Sequence, residues 1–385
     1  MTRSFRFLLT FLFGFAVTFG IASGPVLAQD APILKQLKNI STLSSTLPAN
    51  GDENPYGLVR VARSVGNLQE GSYLVSNFNN SASLGNQQGT GTTIVQISPG
   101  GSFSTFATIN PATLPGPCPG GVGLTTALAV LRTGWVIVGS LPTSDGTSAT
   151  AQAGCLIVLD SQGNTVETFY GSLINGPWDM AYRDDDQHAV LFVTNVLNGT
   201  VAAMGSVVNQ GTVVRVNLSV SESQMPVLNS LTVVGSGFSE HTDPAALVIG
   251  PTGLGLSPSE VFDSDWDRED GVVLYVADTV NNRIAVIDRP FTRHAPSGNG
   301  KTLTVGGALN GPLGMTVAPN GHIITANGGD GNAVETTPAG HQIAIRQLDS
   351  SGNPPGAGAL FGILFDTEQG LIFVDDATNT LNKLH

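Results

Sequence analysis

The chain has 385 residues, and its 48 Gly and 22 Pro make up almost a fifth of it, against roughly 12% in an average protein. Charged residues are only 12%, apolar residues 41%, and the net charge is −13. These figures exclude a coiled coil, a collagen, a charge-rich disordered chain and a multi-span membrane protein, and they argue against nucleic-acid binding, which uses a basic face.

Arg3 and Arg6 precede an uncharged, Phe- and Leu-rich run from Phe7 to Ala22, then Gly24-Pro25 and Val26-Leu27-Ala28. A basic start, an apolar middle and small residues at the end read as a secretory leader cleaved after Ala28. The stretch up to Gln29 is also long enough for an uncleaved span, but the Gly-Pro break suits cleavage better. No Cys follows the cut, so a lipid-anchored lipoprotein is not expected. On this reading residues 1–28 are the leader, 29–54 an N-terminal segment and 55–385 the folded body. The product is then secreted or periplasmic, off the membrane and a monomer. Losing two Arg leaves 14 basic against 29 acidic residues, a field that keeps an exported protein soluble.

One pattern then recurs six times: Pro or a small residue, any residue, Gly or Asp, and an aliphatic residue. The copies are Pro55-Tyr56-Gly57-Leu58, Gly121-Val122-Gly123-Leu124, Pro177-Trp178-Asp179-Met180, Pro251-Thr252-Gly253-Leu254, Pro312-Leu313-Gly314-Met315 and Leu360-Phe361-Gly362-Ile363. Each is followed by an apolar strand with a polar end: 73–77, 136–140, 191–195, 274–278, 323–327 and 372–376. Third strands are read at 93–97, 155–159, 212–218, 283–287, 332–335 and 380–384. Fourth strands are read at 103–109, 166–173, 230–234, 302–305 and 342–348. Four short strands per unit, punctuated by Gly and Asn-Gly turns, predict an all-β, six-bladed β-propeller. The sixth unit lacks a fourth strand. The spare segment Ile40–Leu47 is expected to supply it and so close the ring, since an open edge invites aggregation. Cys118 and Cys155, 37 positions apart, suit a structural disulfide in an oxidising compartment; two buried free thiols are the alternative.

Leu274-Tyr275-Val276-Ala277-Asp278-Thr279-Val280-Asn281-Asn282-Arg283-Ile284-Ala285-Val286 resembles the NHL repeat, and residues 311–323 resemble its opening half. The other four units match loosely and carry insertions. The resemblance implies the six-bladed fold and no particular activity.

Candidate site residues are those expected on the rim where the innermost strands begin. The polar strand ends Asn77, Ser140, Asn195, Asp278, Asn327 and Asp376 form one ring. Their oxygens suit a hard divalent cation, calcium by preference; the plainer reading is that Asn and Asp cap the turn that follows. Asp179 replaces Gly in the third unit only, beside Trp178. His241 lies between Glu240 and Asp243 in the loop expected to enter the fourth blade, a pattern open to metal or proton chemistry. Asp184-Asp185-Asp186 and the alternating acids from Asp263 to Asp270 read as solvated hairpin tips; the second lacks the Gly and Glu of a calcium loop. No GxSxG, GxxxxGK[ST] or HExxH motif is present.

The first functional reading is an exported binding scaffold for a protein, glycan or small-molecule ligand, without catalysis. The alternative comes from a distant similarity to gluconolactonase and senescence-marker propellers. It implies a metal-dependent hydrolase or lactonase, or a lyase of the streptogramin type, with its site in the central channel. Asn195, Asp278, Asn327 and Asp376 would supply metal ligands there. The first-blade Glu of those families has no matching motif here, because Glu53 precedes Pro55.

Overall fold

Short runs of Val, Ile and Thr separated by Gly-rich turns fold as strands, and the chain's two ends meet in one of them. The structure, a computed structural model, describes residue 1 and residues 31–258 and 271–385. The expected leader and the acidic run Asp263–Asp270 lie outside the described residues.

Strand β1 (Ile40–Ser45) pairs antiparallel with the last strand of the chain, from Ile40 against Leu384 to Ser45 against Thr380. Blade one is β2 (Glu53–Arg60), β3 (Tyr73–Asn79), β4 (Thr93–Ile97) and β5 (Phe103–Thr108). Blade two is β6 (Leu124–Val130), β7 (Val136–Ser140), β8 (Cys155–Leu159) and β9 (Thr165–Phe169). Blade three is β10 (Pro177–Asp184), β11 (His188–Asn195), β12 (Val208–Ser219), β13 (Val227–Asp243) and a fifth strand, β14 (Leu247–Ile249). Blade four is β15 (Pro251–Leu256), β16 (Val273–Asp278), β17 (Arg283–Asp288) and β18 (Lys301–Val305). Blade five is β19 (Pro312–Val317), β20 (Ile323–Asn327), β21 (Asn332–Thr336) and β22 (Gln342–Gln347). Blade six is β23 (Leu360–Asp366), β24 (Gly370–Asp375), β25 (Thr380–Leu384) and, on its outside, β1. The fold is therefore a six-bladed propeller closed by the N-terminal strand, as the repeats predict.

Three details depart from the sequence reading. In blade two the opening residue is Leu124, which pairs with Ser140, and two extra residues precede Leu128, which pairs with Val138; Gly121-Val122-Gly123 is loop. In blade three the expected entry loop Glu240–Asp243 is the end of β13, hairpinned to β14 with His241 opposite Ile249. In blade six Leu360 pairs with Asp375, as Pro55 pairs with Asn77, so Asp375 holds the repeated position and Asp376 lies one residue beyond it.

The segment before β1 is tied down as firmly as the strand. Both oxygens of the buried Glu335 carboxylate accept backbone N–H groups, from Ile33 and from Leu34, each at 2.8 Å. His322 Nδ1 lies 2.7 Å from Glu335 Oε1, and Leu34 is buried in the core between blades five and six. Cys118, before β6, is bonded to Cys155 at the start of β8, with Cα atoms 5.1 Å apart.

Glu335→Ala strands two amide donors and His322 in the interior. It is expected to cost about 2–5 kcal/mol, the desolvation left on unsatisfied buried hydrogen-bonding groups, read as a lower urea midpoint at unchanged slope. Reducing the disulfide, which closes a 37-residue loop, is expected to cost about 4 kcal/mol in the chain-entropy account, measured by the same unfolding curves with and without reductant.

Candidate functional site

The second residues of four openings, Tyr56, Trp178, Leu313 and Phe361, meet in one buried cluster. Tyr56 stacks on Phe361 at 3.9 Å and on Phe78 at 4.5 Å, with Trp178 at 6.5 Å. Leu313, Leu141 and Val196 complete this cluster, and Leu247 and Val248 of the β13–β14 hairpin lie buried in it. The rim on which the sequence places ligands is thus filled by an aromatic plug under a hairpin cover.

Below the plug the channel is hollow. A cavity of about 250 Å³ is walled by the residues that follow the plug along the innermost strands, among them Leu58, Leu128, Met180, Leu254, Met315 and Ile363. It lies toward the hairpins joining first and second strands, the rim opposite to the expected one. Its lining side chains are mostly apolar, apart from Thr126, Thr316, Tyr182 and Asp179, although polar atoms still form a substantial share of the exposed wall. The Tyr182 hydroxyl is already used, donating to Val130 O at 3.0 Å.

Asp179 is the carboxylate of this cavity. Its backbone N–H donates to Thr194 Oγ1 at 3.0 Å, and its Oδ2 accepts from Leu254 N at 2.8 Å. It is 8% exposed. Burial pushes its pKa up to about 7, opposed by the amides of Leu254 and Met180. Where blades one, four, five and six have Gly, and blade two has Thr125-Thr126, this opening carries a carboxyl at the wall of the cavity. Its neighbour Trp178 belongs to the plug, so the two residues serve opposite sides of one partition.

The polar strand ends do not converge. Asn77 Nδ2 donates to Thr46 O at 3.0 Å. Ser140 Oγ accepts from Gly123 N and donates to Gly121 O. Asn195 Oδ1 accepts from Asn175 N at 3.1 Å. Asp278 is fully buried against Arg283 Nε at 2.7 Å and Asn281 Nδ2 at 3.0 Å. Asn327 Nδ2 donates to Ala308 O at 2.9 Å and to Asp330. Asp375 accepts from Thr378 N at 3.2 Å. Asp376 is half-buried, and burial, then Asp375 and Glu53, raises its pKa to about 7. Such bonds to nearby backbone are what turn-capping residues make. Among the described residues no group of three or more His, Cys, Asp or Glu is arranged to hold a metal ion, and Asp278 already has a cationic partner. Asn77 Oδ1 and Asn327 Oδ1, by contrast, are buried without a hydrogen-bond partner, so the ring is only partly spent.

His241 does not reach the cavity; its Nδ1 lies 2.9 Å from Thr242 O. Its neighbour Glu240 is the more unusual group. Fully buried, it accepts from Asn198 N at 3.0 Å through one oxygen, while the other has no partner. Burial raises its pKa to about 8, so it is largely neutral at pH 7. Asp184 bonds Arg132 N at 2.6 Å and Asp185 caps Gln187 and His188, so that acidic run serves a hairpin and a neighbouring blade. The apolar cavity walls gave no sequence signal, because innermost strands of any propeller read as aliphatic.

No protein-family model matches the chain, and no curated protein sequence matches it at a significant level. Solved structures share its fold. A calcium-binding regucalcin from Agrobacterium tumefaciens is 15% identical with a TM-score of 0.54, over 90% of this chain and 93% of that one. A putative oxidoreductase (glucose dehydrogenase) from a Thermus species is 12% identical with a TM-score of 0.52, over 90% and 99%. A putative gluconolactonase is 14% identical with a TM-score of 0.50, over 92% and 95%. The chain is thus distantly similar to the regucalcin and gluconolactonase propellers in fold.

A carboxyl whose folded pKa is raised binds its proton more tightly when folded, so its stabilising contribution is complete at low pH and is lost as pH rises toward 7. For Asp179 this amounts to up to about 4 kcal/mol between pH 4 and 7. The stability difference between wild type and Asp179→Asn is expected to fall across that window, measured by urea unfolding at each pH; a constant difference contradicts the raised pKa.

Proposed function

We propose that the chain is an exported binding protein, and that its axial cavity takes a small ligand with an aliphatic body and a protonated amine at one end. The observation that carries this is Asp179, a nearly buried carboxyl and the one acidic side chain among the described lining residues of a chamber of about 250 Å³ whose other side chains are mostly aliphatic. Small-ligand pockets have this make-up, apolar walls with few polar groups that fix orientation. An ammonium ion meeting Asp179 supplies the charge partner that burial denies it, and so favours the ionised carboxyl. Export rests on the basic, apolar and small-residue sequence of positions 1–28.

The structural neighbours include a calcium-binding regucalcin and a putative gluconolactonase, which makes a metal-dependent hydrolase the second reading. The local bonds that Asn195, Asp278 and Asn327 make at their own strand ends weigh against it. Catalysis by Asp179 alone, as a proton-transfer group matched to neutral pH, would still use the same cavity.

The test is calorimetric titration with n-butylamine and with n-butanol as the uncharged control. The amine is expected to bind at least about tenfold more tightly than the alcohol, as one charge-assisted hydrogen bond warrants. Its affinity is expected to climb as pH rises through about 7 and Asp179 ionises. Asp179→Asn is expected to abolish both the preference and the pH dependence. Equal binding by wild type and variant refutes the assignment.

A further inference from the structure

The loop after β17 concentrates positive charge on an acidic chain. Arg289, Thr292, Arg293, His294 and Ala295 line a surface pocket of about 310 Å³. Arg293 frames it, with Nε donating to Asp288 O at 3.2 Å, Nη1 to Ala295 O at 3.4 Å and Nη2 to the Asp288 carboxylate. Arg289 stands exposed beside it, its Nε 3.5 Å from the same carboxylate. One acid therefore faces two guanidinium groups.

A third lies beneath. Arg215 reaches from β12 under the loop and donates through Nη1 to Pro290 O at 2.8 Å and to Phe291 O. It is 5% exposed, its Nε has no partner, and among the described residues no carboxylate pairs with it. Buried charges are ordinarily paired, because desolvation is otherwise uncompensated, and desolvation lowers the pKa of this one. Phe291 packs edge-on against Phe192 at 5.0 Å, so the loop is held in place before any ligand arrives, which lowers the cost of ordering on binding.

We propose that the loop Asp288–Ala295 is a binding site for a small oxyanion: Arg289 and Arg293 provide the donors, and the unpaired guanidinium of Arg215 supplies charge from below. Guanidinium forks match tetrahedral and carboxylate oxyanions, each charge-assisted bond being about twice as strong as a neutral one. The net charge of −13 repels anions at a distance, so this affinity is local and falls steeply with salt. The site is separate from the axial cavity and does not depend on its ligand.

The experiment is calorimetric titration of the leaderless chain with phosphate, sulfate and acetate, ionic strength held constant with sodium chloride. A single saturable site is expected. Arg289→Gln, at an exposed position and checked for an unchanged thermal melt, is expected to weaken it about tenfold. Binding of phosphate and sulfate without acetate assigns a tetrahedral oxyanion, and the reverse assigns a carboxylate. Either result supports the site. No saturable heat at matched ionic strength, or equal affinity in wild type and Arg289→Gln, overturns it.

Discussion

The whole ring depends on how closely its innermost strands approach at the axis. A Cβ on Gly314 would lie 1.8 Å from Phe361 O, one on Gly253 2.2 Å from Leu313 O, and one on Gly362 2.4 Å from Tyr56 O. The carbonyls of Phe361, Leu313 and Tyr56 thus sit on the glycines of the blades before them, at distances no side chain permits. The repeated opening follows from this. Its glycine makes room for the next blade, and the residue before that glycine is thrown onto the axis. Blades two and three depart from it: blade two has Thr125-Thr126 in place of the glycine, and in blade three the Asp179 carboxylate takes up the Leu254 amide of the next blade.

That arrangement divides the channel into two environments. On one side Tyr56, Phe78, Trp178 and Phe361 exclude water and seal the axis, each buried side chain contributing roughly 1.5–3 kcal/mol. On the other side the aliphatic residues that follow them enclose space they do not fill. The same strand therefore provides closure first and a cavity next. Asp179 falls at the boundary, where burial keeps its carboxyl near half-ionised at neutral pH. The β13–β14 hairpin completes the seal, with Leu247 held in the left-handed region at φ 60°, a conformation disfavoured for a bulky side chain.

Chain ends and polar groups obey the same economy of partners. Glu335 binds two backbone amides of the segment before β1, so closure rests on an ionisable group as well as on a strand ladder. Asp278 and Arg283 neutralise each other inside blade four. Arg215 is buried too, and among the described residues its guanidinium bonds carbonyl oxygens and no carboxylate.

The alternation of short apolar strands and Gly-rich turns was enough to read six blades, and the spare Ile40–Leu47 was enough to read how the ring closes, because both are local patterns with one way to satisfy their backbone hydrogen bonds. The pairing of two cysteines followed from their number and expected compartment. Asp179 stood out as the one acid at a Gly position. What it faces was not legible. Whether a rim is open or plugged depends on side chains from six separate blades meeting at the axis, and Tyr56, Trp178 and Phe361 lie far apart along the chain. Likewise the charge of Asp278 looks available in the sequence, and only the fold brings Arg283 against it. Sequence by itself determined the architecture, since strand period and turn chemistry act between neighbours in the chain. The tertiary structure alone decided which polar groups are spent and which remain, since that is settled by contacts across the ring.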